Sequence, residues 1–162
     1  MKVPNPQGQK ACQTGAMLEK MVESMLVSAG FEFMNTADAT SELCKDEATK
    51  KWYARQFKGL VGAYGIPVTV DFVVGSPTEF KKGLVIEVKY QKVPGSVDEK
   101  YPYVFLNFKK WFEKGIKSAL FMEGGGYKAC ALQWCKDNQN NNISVVEGAS
   151  DIMQWMHLRL IQ

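Results

Sequence analysis

Histidine is almost missing from this chain: one, His157, in 162 residues. With the one imidazole in the last helical segment, no Ser/His/Asp relay is assembled from this sequence. That lone histidine reads as packing in a C-terminal apolar helix and is given no role. The cysteines Cys12, Cys44, Cys130 and Cys135 show no metal-ligand spacing, which with one histidine excludes a structural zinc site. Cys130 and Cys135 are expected to be small buried residues of a helix, and a reducing cytoplasm is the simplest compartment. No apolar core follows Met1-Lys2-Val3-Pro4-Asn5-Pro6 and no membrane-length apolar run occurs, which argues against a signal peptide or a membrane partner. Surplus charge is small as well: a net +3 permits an acidic partner without demanding one. Gly124-Gly125-Gly126 lacks the later Gly-Lys-Ser/Thr of a nucleotide loop, so it reads as a tight strand-to-helix turn.

What remains is the composition of an ordinary globular domain, 46% hydrophobic and 23% charged. Residues 1–13, polar with two prolines, are expected to form a flexible arm ahead of one domain over 14–162. Thr14 is placed to cap a helix running to about Ser28, and Gly30 to stop it. Met17, Leu18, Met21, Val22, Met25 and Leu26 recur there at helical spacing and are read as core, with Glu19 and Glu23 beside the stripe. Residues 35–50 read as a loop with a short helix, and Trp52 to Lys58 as a strand. Ser96 and Glu99 have capping-box spacing before an amphipathic helix ending at Gly115, though Pro102 implies a kink or a later start. A strand (Ser118 to Met122), a helix (Tyr127 to Lys136), a strand (Ile143 to Val146) and a helix (Ser150 to Leu160) follow. This order predicts an α/β fold, a mixed β-sheet flanked by α-helices.

Two strands carry the chemistry. In Leu84-Val85-Ile86-Glu87-Val88-Lys89-Tyr90-Gln91 the period of two puts Leu84, Ile86, Val88 and Tyr90 on one face, and Glu87, Lys89 and Gln91 on the other. In Val68-Thr69-Val70-Asp71-Phe72-Val73-Val74, Asp71 sits among apolar neighbours. A hairpin register would bring Asp71 and Glu87 together with Lys89 one step along, a set able to hold a divalent cation. A surface ion pair worth about 0–1 kcal/mol has the same spacing. Against that, Val73 and Val85 share the polar faces, and charges on strands apolar on both sides are costly unless paired or metal-bound.

Two basic clusters stand out. Lys45, Lys50, Lys51, Arg55 and Lys58 interleave with Trp52, Tyr53 and Phe57, while Lys109, Lys110, Lys114 and Lys117 form the second. The first fits either a nucleic-acid surface or a solvated basic face.

With Glu19 on the first helix, then Asp71, Glu87-Val88-Lys89 and Gln91, the chain resembles the PD-(D/E)XK, or restriction-endonuclease-like, nuclease superfamily over about residues 14–160. Gly95 to Tyr103, Gly124 to Tyr127 and Ala131 to Trp134 are similar to its phage and restriction-associated members. Val70 stands where the family's proline would precede Asp71. The resemblance implies Mg²⁺, with Mn²⁺ able to substitute, held by Asp71, Glu87 and the Val88 carbonyl. It makes Lys89 a catalytic residue acting on the water and the phosphorus, and Gln91 a contact to water or phosphate. Glu19 would be a further ligand or support, unless it is a plain helix-surface residue. The implied activity is DNA endonuclease cleavage. A DNA-binding module without catalysis, or a nuclease acting on RNA or from DNA ends, is the alternative. The implied partner is double-stranded DNA, and a homodimer is expected, with Trp52, Tyr53 and Trp155 as exposed aromatics at the interface.

Overall fold

Two apolar cores lie on opposite faces of one six-stranded sheet in the computed structural model, which describes the backbone of residues 6–160 and side chains from residue 15 onward. The strands are ordered as in the chain: β1 (Glu32–Phe33), β2 (Trp52–Val61), β3 (Pro67–Gly75), β4 (Leu84–Tyr90), β5 (Lys117–Glu123) and β6 (Ile143–Glu147). The β2–β3 and β3–β4 pairs are antiparallel; β1–β2, β4–β5 and β5–β6 are parallel. Parallel neighbours need crossover connections, which α2 (Thr36–Leu43), α3 (Tyr101–Phe112) and α4 (Ala129–Asp137) supply. The expected mixed sheet flanked by helices is what the chain forms.

Helices α1 (Pro6–Ser28) and α5 (Ala149–Leu160) cover one face. Leu18, Val22 and Leu26 meet Ile152 and Met156 over Phe72, Ile86 and Phe121. On the other face α2 (Thr36–Leu43), α3 and α4 bury Ala39, Phe105, Phe108, Trp111 and Cys135 against Val73, Val85 and Leu120. Each aromatic ring of that kind contributes about 1.5–3 kcal/mol by leaving water. β4 lies between these layers, so its Leu84, Ile86 and Val88 enter the first core and Val85 the second. Among the described residues no helix is long and apolar enough to cross a membrane.

Several expectations need correction. Helix α1 begins at Pro6, so residues 6–13 extend it and Thr14 lies within it, while residues 1–5 of the expected arm fall outside the described residues. Proline is tolerated at a first helical position, where its missing N–H costs nothing. Gly30 ends the segment with a φ of 82°, as its position implied. Met17 is 68% exposed and leaves the stripe. Ser96 and Glu99 form no capping box: α3 starts at Tyr101 with Pro102 in its first turn and no side-chain cap. His157 and Cys130 are exposed rather than packed, whereas Cys135 is buried. Trp52, Tyr53 and Phe57 are core residues, and Trp155 is half-buried against Phe80 and Phe121. The expectation that Trp52 and Tyr53 are exposed aromatics is therefore corrected, and of the three aromatics expected at a dimer interface only Trp155 keeps part of its surface.

Candidate active site where two strands part

Strands β3 and β4 pair through Val74↔Leu84, Val73↔Val85 and Phe72↔Ile86, and there the ladder stops. One step further it would set Asp71 opposite Glu87. Instead the strands separate and the Asp71 carboxylate enters the gap, where its Oδ2 accepts the Val88 N–H at 2.7 Å. The side chain thus replaces a lost ladder bond, which fixes its position. Lys89, two residues beyond Glu87 on the same face, reaches back. Its Nζ donates to Asp71 Oδ2 at 3.3 Å and to Glu87 Oε2. The antiparallel pairing of β3 with β4, the condition set in the sequence reading, therefore does bring these three groups together.

Their electrostatics are unbalanced: two carboxylates share one ammonium in a largely buried place. Burial pushes the Glu87 carboxyl up to about 7, with Lys89 opposing and the Asp71 charge adding to the rise. Burial also works against the charged form of Lys89, but the two carboxylates outweigh it and hold its pKa above the ordinary lysine value. The two carboxylates accordingly favour the charged form of Lys89. Beside Glu87 and Lys89 runs a groove of about 420 Å³, walled by Val68 and Thr69 of β3 and by Tyr103, Asn107 and Trp111 of α3.

Glu19 comes in from α1 and is half-buried. Burial first, and then repulsion from Asp71, raise its pKa, while a hydrogen bond from Gln56 Nε2 to its Oε2 (3.3 Å) works the other way. Glu23, one turn on, is differently engaged: it accepts from Tyr53 Oη at 3.0 Å and pairs with Arg55 at 2.8 Å. Among the described residues no three His, Cys, Asp or Glu side chains close into a ready-made metal cage. Gln91 is buried, with its amide nitrogen donating to the Gly126 carbonyl at 3.4 Å and its Oε1 without a partner. Through that bond it adjoins the glycine turn. That turn closes tightly on the end of β4, where a Cβ at Gly126 would strike the Lys92 carbonyl carbon at 2.2 Å.

Most of the basic cluster around β2 is spent inside the molecule: Lys45 on Glu42, Lys50 on Glu32, Arg55 on Glu23, and Lys51 on the carbonyls of Ala29 and Leu160. Sequence reasoning missed the groove wall from α3. Its signal was Asn107, a polar residue on a buried helix face, whose Oδ1 accepts the Ala63 N–H at 2.7 Å. It also missed Gln56, which no pattern announces.

A family model described as "PD-(D/E)XK nuclease superfamily domain" matches residues 10–161, nearly the whole chain and including all the residues above. No curated protein and no solved structure matches.

Proposed function

The chain belongs to the PD-(D/E)XK nuclease superfamily, and we propose that it is a magnesium-dependent deoxyribonuclease hydrolysing phosphodiester bonds within double-stranded DNA. The observation that carries this reading is the set Asp71, Glu87 and Lys89, held where β3 and β4 part, with Glu87 and Lys89 lining a groove of about 420 Å³.

The donor set fits a small hard cation. Carboxylate oxygens suit Mg²⁺, and two carboxylates sharing one ammonium leave a surplus negative charge that a divalent cation would relieve. Asp71, Glu87 and the Val88 carbonyl would hold it, with Glu19 adjacent. When bound, such a cation supplies Lewis acidity and makes water easier to ionise. The protein's own residues do the rest. The bond from Val88 N–H keeps Asp71 in place before any substrate arrives, so no reorganisation is needed during reaction. Lys89 meets the scissile phosphate as a preorganised positive charge, opposing the negative charge that builds on its oxygens. Gln91 holds the exit of β4 against the glycine turn through Gly126. One such site cuts one strand, so cleavage of both strands calls for two copies of the chain.

Plasmid nicking with Mg²⁺, with Mn²⁺ and with EDTA tests the proposal. Nicking in both metals and none in EDTA is expected. DNA binding without cleavage in any metal would leave only a binding module. Preference for RNA or for DNA ends would overturn the substrate. Sedimentation on DNA should show pairs of chains under conditions that give linear product.

A further inference from the structure

Gln56 is the one non-glycine among the described residues with a positive φ, 45°. It lies within β2, where an extended residue would be ordinary. Left-handed conformations of this kind persist only where the surroundings impose them, and they collect at functional sites. Its place is informative. The β2–β3 pairs Arg55↔Phe72 and Phe57↔Val70 bracket it, so Gln56 lies across from Asp71. The local irregularity is built in: pairing shifts between Phe57 and Leu60, and Gly59 leaves room for the Phe57 ring, which a Cβ there would meet at 2.3 Å. Irregular strand backbone re-aims side chains, often beside active sites. Here Arg55 goes to Glu23 and Phe57 goes into the core, while Gln56 Nε2 donates to Glu19 Oε2 at 3.3 Å.

The Asp71 charge repels the Glu19 carboxylate, and the bond from Gln56 offsets that repulsion. We propose that Gln56 is a positioning residue: from its place across the ladder from Asp71, its amide holds the Glu19 carboxylate so that its negative charge adds to those of Asp71 and Glu87 in attracting a divalent cation, without closing a three-carboxylate cage. The proposal rests on the metal-dependent reading above and adds to it a residue that never touches the cation or the substrate. The left-handed backbone is what turns the amide toward α1. Replacing the residue separates the two parts of this arrangement, because glycine accepts the conformation freely but has no amide to give.

The test uses the full chain without nucleic acid, titrated with Mn²⁺ in a calorimeter, with thermal melting in parallel. Gln56→Gly should keep or raise the melting temperature yet weaken Mn²⁺ binding by roughly 10-fold or more, the usual cost of losing a group that orients a ligand. The half-saturating Mg²⁺ for cleavage should rise in step. In a Glu19→Gln background the same substitution should change Mn²⁺ affinity by less than about twofold, since the two act through one carboxylate. Should Gln56→Gly fail to fold, Gln56→Asn tolerates the backbone but is one methylene too short, and it should show the same loss. Wild-type affinity in these variants, or an undiminished loss in the Glu19→Gln background, overturns the role of Gln56 while leaving the nuclease reading intact. Wild-type protein that binds no Mn²⁺ overturns both.

Discussion

Two clusters of acids with a lysine are built from nearly the same parts and behave in opposite ways. On the α4–β6 side, Glu147 accepts from Tyr127 Oη at 2.7 Å and pairs with Lys136 at 2.8 Å. One carboxylate has one ammonium and one phenol, and these bonds hold its pKa below the ordinary value. At the parting of β3 and β4, two carboxylates share one ammonium under burial, and Glu87 is driven up to about 7. The first arrangement is complete in itself. The second is short of positive charge, and that shortage is what a cation or a phosphate-bound cation would answer. A charged cluster whose own partners satisfy it is a fastening; one that is left unbalanced and faces a groove is where we propose the site.

The largest way to break this contrast is to neutralise the unbalanced side. Asp71→Asn or Glu87→Gln should reduce Mg²⁺-dependent cleavage by more than about 10³-fold while circular dichroism shows the fold retained. Near-normal cleavage by either variant would remove the site from this place. Lys89→Ala comes next. Its single-turnover rate should fall roughly 10²–10³-fold, whereas duplex affinity in Ca²⁺ should fall modestly and the salt slope change by about one unit or less. Equal losses in rate and affinity would make Lys89 a binding residue instead.

On the balanced side the effects are smaller and concern stability. Glu147→Gln should cost about 0.5–1 kcal/mol in urea unfolding at neutral pH, the modest figure reflecting partial exposure, with cleavage unaltered. The sign of its pH dependence is fixed by the lowered pKa. Ionised Glu147 stabilises the fold above its ordinary value of 4.5, and the advantage is lost as pH falls through the still lower folded value. The gap between wild type and variant should therefore close in acid; a constant gap would mean the charge does not contribute. The smallest effect is on a neighbour of Lys136. Burial pushes the Cys135 thiol up to about 11, so at pH 8 a thiol reagent should modify exposed Cys44 and Cys130 well before Cys135. Glu147→Gln should speed Cys135 labelling by local opening, and Glu87→Gln should not.

The unbalanced cluster was legible in the sequence because it violates an expectation: Asp71 and Glu87 sit in runs with apolar residues on both faces, where unpaired charge is costly. The period of two from Leu84 to Gln91 showed which side chains share a face, and a hairpin register, a condition of that reading, is the antiparallel pairing that β3 and β4 adopt. The balanced cluster was not legible, since Tyr127, Lys136 and Glu147 meet only after α4 and β6 have packed. Strand β2 misled for a related reason. Both of its faces are buried, so Trp52 enters one core and Tyr53 the other although they looked like surface aromatics among lysines, and the left-handed backbone at Gln56 breaks the alternation so that Phe57 joins Trp52. Gln56 had no signature at all, because backbone handedness within a strand leaves no trace in residue spacing.

The tip of the β2–β3 hairpin is clamped to α3 by three bonds: Trp111 Nε1–H to the Val61 carbonyl at 2.9 Å, Lys110 Nζ to the Gly62 carbonyl at 2.8 Å, and Ala63 N–H to Asn107 Oδ1. All three end on main-chain atoms of the hairpin. The helix therefore grips the course of the loop by its main chain, and one side chain joins in: Tyr64 stacks on Tyr103 of α3 with ring centroids 4.8 Å apart. Ile66 at the tip is exposed and outside these contacts. Licence for drift is accordingly narrow: the side chain at 66 can be rewritten by mutation, while Tyr64 is tied to the helix and Gly65, with its φ of 78°, to its own lack of a side chain.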